Sequence, residues 1–271
     1  MKRTVRSVKP APALEPRSED YLDYLNVQRP MTVLVRDQQT GDYNAPHAHR
    51  HGQILYAASG MMRAVTETGL WFLPPKRALW IPPGIVHDQI MLSPVKLRSV
   101  YIEPDVSAGF GDSCKIVEVS ILLRELILAL ADQPIEYPQE GRNCHIVALI
   151  LHEIESARSL PLQVPWPMDR RLVTVCNDIL EHPEQPHSVD YWADKVGASS
   201  RTLIRLFLKE TGLTFRHWVQ QVRLATALDR LENGQAIGTI ARDLGYASPS
   251  AFSAMFRRVM GESPREFLIR D

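Results

Sequence analysis

GASSRTLIRLFLKETG (197–212) and GYASPSAFSAMFRRVMG (245–261) are two versions of one pattern. Ser199, Leu203, Phe207, Gly212 and Trp218 recur 49 positions later as Ser248, Phe252, Phe256, Gly261 and Phe267. Just upstream the offset is 48, where Val189, Trp192, Ala193 and Val196 match Ile237, Ile240, Ala241 and Leu244. The offset changes where one copy reads GAS and the other GYAS, in the break between two short amphipathic helices. A glycine-containing break followed by a serine placed to cap the next helix is the helix-turn-helix arrangement. The C-terminal part is therefore expected to be all-α, with two such units in tandem. Between them, FRHWVQQVRLATALDRLENG (215–234) carries Trp218, Val222, Ala225 and Leu228 on one stripe and ends in glycine. That predicts one long connecting helix, which fixes the spacing of the two second helices. Duplex DNA presents successive major grooves on one face about 34 Å apart, so such a pair suits it.

Composition sets the frame around this repeat. The chain has 271 residues, enough for two ordinary domains, and is 45% hydrophobic and 23% charged, as soluble globular proteins are. Formal net charge is zero, so any case for a polyanionic partner rests on local charge. Locally there is a surplus: Lys195 to Arg258 holds ten basic residues against four acidic ones, enough to neutralise phosphates. Three cysteines without a C-x-x-C pair suggest a reducing compartment and no cysteine zinc site. With no apolar run long enough to span a bilayer, a cytoplasmic protein without a membrane partner is expected.

The N-terminal half has a different period. Residues 1–25 read as a flexible tail. From Met31 to about Glu103, short β-type runs such as MTVLVRD, QILYAASG, LWFLPP and ALWIPP are broken by Gly, Pro, Asn and Asp, which suggests a small barrel or sandwich over 26–110. Helical periodicity replaces this after Pro104, and residues 111–160 are expected to hold two helices and no strand. Their apolar faces are Ile121, Leu122, Leu126 and Leu130, then Ile146, Leu149, Ile150 and Ile154, which either cover the barrel or pair across a dimer. Three prolines in 161–167 mark a stiff linker, with the second domain beginning near Met168.

PHAHRHGQ (46–53) places His47, His49 and His51 at alternate positions. On a strand these share a face, so an H-x-H pair can grip one metal ion without being obliged to. Tyr56, Trp71, Phe72 and Trp80 are candidate pocket walls, or ordinary core.

Residues 168–271 resemble the DNA-binding domain of the AraC/XylS family of bacterial transcription regulators, most closely in GYASPSAFSAMFRRVMGESPREF (245–267), which fits that family's signature. The resemblance implies seven helices carrying two helix-turn-helix units. On the first reading helix Ser200, Arg201, Thr202 and Arg205 are expected to face outward, and Arg201 and Arg205 can each take guanine O6 and N7 together. The second offers Ser248, Ser250, Ser253, Arg257 and Arg258, the arginines better placed for phosphate. Family members often carry arginine or glutamine where Ala254 stands here, so specificity is expected to be weighted toward the first unit. The other half resembles the cupin sensor found in such regulators, so the expected fold class is α+β multidomain: a cupin-like barrel with two following helices, then the all-α domain. The cupin motifs H-x-H-x(3)-E and P-x-G-x(2)-H carry over to His47, His49, Gln53 and His87, with Gln53 replacing the glutamate. These four residues would line the ligand pocket, or hold a divalent metal, since imidazole suits Zn, Ni, Fe and Cu. Loss of the carboxylate weakens the metal case. The expected function is a ligand-responsive regulator that is not an enzyme, with duplex DNA, a small-molecule effector, RNA polymerase and a second copy of the chain as partners. The alternative is a metal-dependent cupin enzyme with an accessory DNA-binding tail.

Overall fold

The computed structural model describes residues 21–160, 163–185 and 187–269. The tail expected over 1–20 lies outside them. Residues 21–25, grouped with that tail by sequence, instead form a short helix, α1 (Tyr21–Leu25), whose Leu25 is buried with Leu34 and Tyr101. The chain forms two compact units that part after Leu160.

The N-terminal unit is built on strands β1 (Met31–Gln38), β2 (Tyr43–His47), β3 (Gly52–Ser59), β4 (Met62–Thr66), β5 (Gly69–Leu73), β6 (Arg77–Ile81), β7 (His87–Met91) and β8 (Val95–Ile102). One sheet runs β1-β8-β3-β6 and the other β5-β4-β7-β2, the strand order of an antiparallel jelly roll rather than a single closed barrel. The first sheet continues beyond the expected end of the barrel. After a short helix α2 (Pro104–Ser107) and a 3-10 turn (Ala108–Phe110), β9 (Lys115–Glu118) pairs with β6, and β10 (Ser159–Leu160) pairs with β9. These strands have four and two residues, too short for an alternation to register against the helical periodicity around them. Between them lie α3 (Ile121–Ala131) and α4 (Arg142–Ser156).

Register decides which side chains line the space between the sheets. Gln53 pairs with Tyr101 on one side and Ile81 on the other, whereas Ile54 pairs with Val100 and Trp80. Successive residues take opposite faces. Ile54, Tyr56, Ala78, Trp80, Val100 and Ile102 therefore share the outer face, packed with Leu123, Ile127, Leu130, Ile146, Ile150 and Ile154 of α3 and α4. Each such aliphatic chain, fully buried, contributes about 1.5–3 kcal/mol. Tyr56 and Trp80 are thus core beneath the helices and not pocket walls. Ile121, Leu122 and Leu149, in the same apolar sequence pattern, are exposed instead.

Among the described residues the C-terminal unit has seven helices: α5 (Arg170–Glu181), α6 (Val189–Lys195), α7 (Ser200–Thr211), α8 (Phe215–Glu232), α9 (Ile237–Asp243), α10 (Pro249–Met260) and α11 (Pro264–Ile269). The repeat is visible atom by atom. Ser199 Oγ accepts from Thr202 N at 3.2 Å, and Ser248 Oγ accepts from Ala251 N at 3.1 Å. Each cap satisfies one orphan donor and is worth about 1 kcal/mol. At the other ends Gly212 and Gly261 adopt φ of 70° and 81°, a conformation glycine takes without a Cβ penalty. Leu203, Phe207, Phe252 and Phe256 are buried, as is Trp218 of α8, whose indole N–H donates to the Pro165 carbonyl at 2.8 Å.

Candidate functional sites

Helix α7 buries Leu203 and Phe207 and turns the opposite face to solvent. Arg201, Ile204, Arg205, Leu208 and Lys209 are all exposed. Their spacing of three and four residues puts them on one stripe. Two of the four residues expected to face outward are engaged elsewhere. Ser200 Oγ donates to the Asp190 carboxylate, and Thr202 Oγ1 lies 2.9 Å from Ser199 Oγ within the cap. Ile204 and Leu208, which sequence reasoning did not place on this face, take their positions. The signal was available, since Ile204 stands three residues after Arg201 and four before Leu208.

On α10 the exposed residues are Pro249, Ser250, Ala251, Ala254, Arg257 and Arg258, with Ser253 half-buried at their edge. Ser248 spends its oxygen on the cap and keeps one hydroxyl proton. Arg257 lies 3.4 Å from Glu266, both largely exposed, a pair that contributes little to stability. This face offers cations at its C-terminal half and small side chains at its start.

In the N-terminal unit the four motif residues come together. His47 ends β2, His87 begins β7 and the two pair across the sheet, while His49 precedes β3 and Gln53 stands on it. One ring nitrogen from each of His47, His49 and His87 lies within 4.8 Å of the others. His51 is not in the cluster. It lies 3.0 Å from the Glu103 carboxylate, which Arg50 also reaches at 3.1 Å.

The three rings are held in one tautomer. Nδ1 of His47 donates to the Ala45 carbonyl at 2.8 Å, Nδ1 of His49 to the His51 carbonyl at 2.9 Å, and Nδ1 of His87 to the Ile85 carbonyl at 2.9 Å. A carbonyl only accepts, so each neutral ring carries its proton on Nδ1 and leaves a lone pair on Nε2. Burial lowers all three pKa values, to about 4 for His49 and about 3 for His87, because a charged imidazolium is poorly solvated there. Gln53 Oε1 lies 3.2 Å from His49 Nε2 while its amide nitrogen donates to Ser99 Oγ. Among the described residues the buried Nε2 of His87 has no hydrogen-bond partner.

Three converging imidazole lone pairs and an amide oxygen fit a divalent cation of borderline softness. The same set equally fits a small polar ligand that donates hydrogen bonds. Tyr101 closes one side, edge-on to His49 at 5.3 Å. Trp71 approaches from the second sheet, donating to Thr66 Oγ1 at 2.9 Å, and Thr66 pairs with His87. Phe72 alternates with Trp71 along β5 and takes the opposite face.

Comparison with known proteins places both halves. Residues 29–164 match the model of the AraC-like ligand binding domain, and residues 192–270 match that of a helix-turn-helix domain. The chain is 32% identical over 232 residues to the HTH-type transcriptional regulator NimR of Escherichia coli, covering 85% of each. It is 33% identical over 103 residues to the HTH-type transcriptional regulator RipA of Corynebacterium glutamicum, covering 38% of this chain and 31% of that one. Regulatory protein SoxS of Salmonella typhimurium is 37% identical over 95 residues, 35% of this chain and 89% of SoxS.

Proposed function

This chain belongs to the AraC family of transcription regulators, and from that premise we propose how its parts divide the work. It is a DNA-binding regulator with a ligand-binding N-terminal domain. The observation that carries the proposal is the pair of identically capped helices, α7 and α10, each presenting a cationic face. The first reads base edges through Arg201 and Arg205, and the second grips phosphate through Arg257 and Arg258.

The pocket of His47, His49, Gln53 and His87 receives a small-molecule effector and senses it without turnover. Support for a non-enzymatic role comes from the relatives, which are regulators, and from the neutral amide standing where a ligating carboxylate would otherwise be. A second reading, a divalent metal at these residues, rests on the three Nδ1–carbonyl bonds that aim the Nε2 lone pairs inward. Such an ion would supply a positive centre for an anionic or carbonyl-bearing effector. The exposed Ile121, Leu122 and Leu149 on α3 and α4 suit a homodimer, which would engage two half-sites. RNA polymerase is the further partner of an activator. Among the described residues no helix is long and apolar enough to cross a membrane, and a protein that works on bacterial DNA acts in the cytoplasm.

Selection of genomic fragments by the purified full chain at one stated salt concentration, repeated with a chelator, tests both readings. One enriched sequence in both conditions supports a regulator with a metal-free pocket. A site lost on chelation assigns the histidines to a metal. No enriched sequence overturns the DNA assignment.

A further inference from the structure

We infer that Ile204 reads one base of the operator, recognising a thymine by its C5 methyl group. The inference rests on the DNA reading of α7 and names a residue at the edge of that face.

Ile204 is 46% exposed on a helix whose inward positions, Leu203 and Phe207, are fully buried. Arg201 precedes it by three residues, one turn back on the same side of the helix, and Arg205 lies beyond Arg201 around the exposed face, so the isoleucine flanks the two arginines. Lone exposed aliphatics are common on protein surfaces, and the repeat separates that case from a functional one. At the offset of 49, Leu203 and Phe207 correspond to Phe252 and Phe256, and all four are buried and apolar. Ile204 corresponds to Ser253. The helix-turn-helix scaffold therefore does not require an apolar residue there, which leaves the exposed part of the isoleucine free for recognition.

The nearby hydroxyls are already engaged: Ser200 on Asp190 and Thr202 in the Ser199 cap. What the start of α7 offers a groove is two cationic forks with an apolar branch beside them. The major groove displays one apolar group, the methyl of thymine, beside the O6 and N7 acceptors of guanine that suit arginine. Reading helices bring their N-terminal part to the base edges, and Ile204 lies in the second turn of α7. Leu208, one turn further on the same stripe, extends the apolar strip away from that end.

The test uses the full chain and selection from a random duplex library at fixed salt, with the wild type, Ile204→Ala and Ile204→Gln. The wild type should return a thymine at one position that Ile204→Ala leaves unspecified, with the rest of the consensus unchanged. Ile204→Gln should favour adenine there, since glutamine pairs with adenine N6 and N7. Replacing that thymine by deoxyuridine removes only the methyl group. It should weaken wild-type binding about fourfold, the transfer of one methyl group back to water, and Ile204→Ala binding less than twofold. If deoxyuridine at every consensus thymine leaves wild-type binding unchanged, or weakens both proteins equally, the inference is wrong while the DNA reading stands. If Ile204→Ala alters no position of the consensus, the inference is also wrong, and this strip faces a protein partner. No consensus from the wild type overturns the inference together with the DNA reading beneath it.

Discussion

His49 Nε2 stands 3.2 Å from Gln53 Oε1, and because the His49 proton is committed to the His51 carbonyl, both atoms face each other as acceptors. Two arrangements relieve this: a cation between them, or the opposite amide orientation, in which Gln53 donates to His49 and accepts from Ser99. The substitution Gln53→Glu separates them. With a cation, the added carboxylate should tighten divalent metal binding by about tenfold or more, because charge attracts an ion more strongly than an amide dipole does. Competition titration of Zn or Ni against a calibrated chelator measures it. Equal, weak binding by wild type, Gln53→Glu and His87→Ala would leave the pocket to an organic effector.

Protonation of the same rings ties stability to pH. His49 and His87 titrate near 4 and 3 in the fold and near 6.5 once unfolded. Between these values the unfolded chain holds more protons, so acidification favours unfolding. Their contribution is complete above about pH 6.5 and declines as pH falls below it. Two such groups should cost about 2 kcal/mol between pH 6 and pH 5. Urea unfolding at the two pH values, with wild type and the double variant His49→Gln/His87→Gln, checks this. The variant should show a much shallower dependence, and an identical slope would contradict the assignment.

Gly52 opens β3 against Trp80. A Cβ on Gly52 would lie 2.1 Å from Cη2 of the Trp80 indole and 3.2 Å from Ser107 Oγ. The indole cannot retreat, since it is fully buried, donates to the Gly111 carbonyl at 3.0 Å and meets Phe110 edge-on. Gly52→Ala should therefore cost about 3 kcal/mol, the upper range for overpacking. Trp80→Phe in the Gly52→Ala background should recover part of it, a coupling that additive behaviour would exclude. Denaturation midpoints of the four proteins provide the measurement.

The sequence was most legible where a pattern repeats. Ser199 and Ser248, Gly212 and Gly261, and the buried aromatics between them fall at fixed offsets, and each performs in the fold the role its residue type suggests. The histidine motif was legible through the cupin pattern and not through strand parity: His47 ends β2, His49 and His51 lie in the turn before β3, and His51 turns to Glu103 instead of joining the cluster. Short elements were not legible. β9 and β10 hold because β6 and β9 offer them an edge, and that edge is created by tertiary structure. For Trp80 and Tyr56 the sequence left pocket wall and core both open, because an aromatic in a β-type run carries no mark of which face is wet; register alone sends Gln53 inward and Ile54, with Tyr56 and Trp80, toward α3 and α4. Ser200 and Thr202 are expected DNA contacts because polar residues at a helix start suit both a groove and a cap, and in the fold their hydroxyls meet Asp190 and Ser199.

Arg205 and Arg258 should fail differently when removed. Arg205, exposed on the α7 stripe, reads a base edge, so Arg205→Ala should cost roughly 1 to 3 kcal/mol of discrimination at one position of the site and little elsewhere. Arg258, exposed near the end of α10, is placed for phosphate. Arg258→Ala should weaken all sequences alike and reduce the slope of log affinity against log salt by about 1. Titrations of a selected site and a scrambled duplex over several salt concentrations distinguish the two effects. A changed consensus in Arg258→Ala, or a uniform loss in Arg205→Ala, would exchange the roles of the two helices and place base reading on α10.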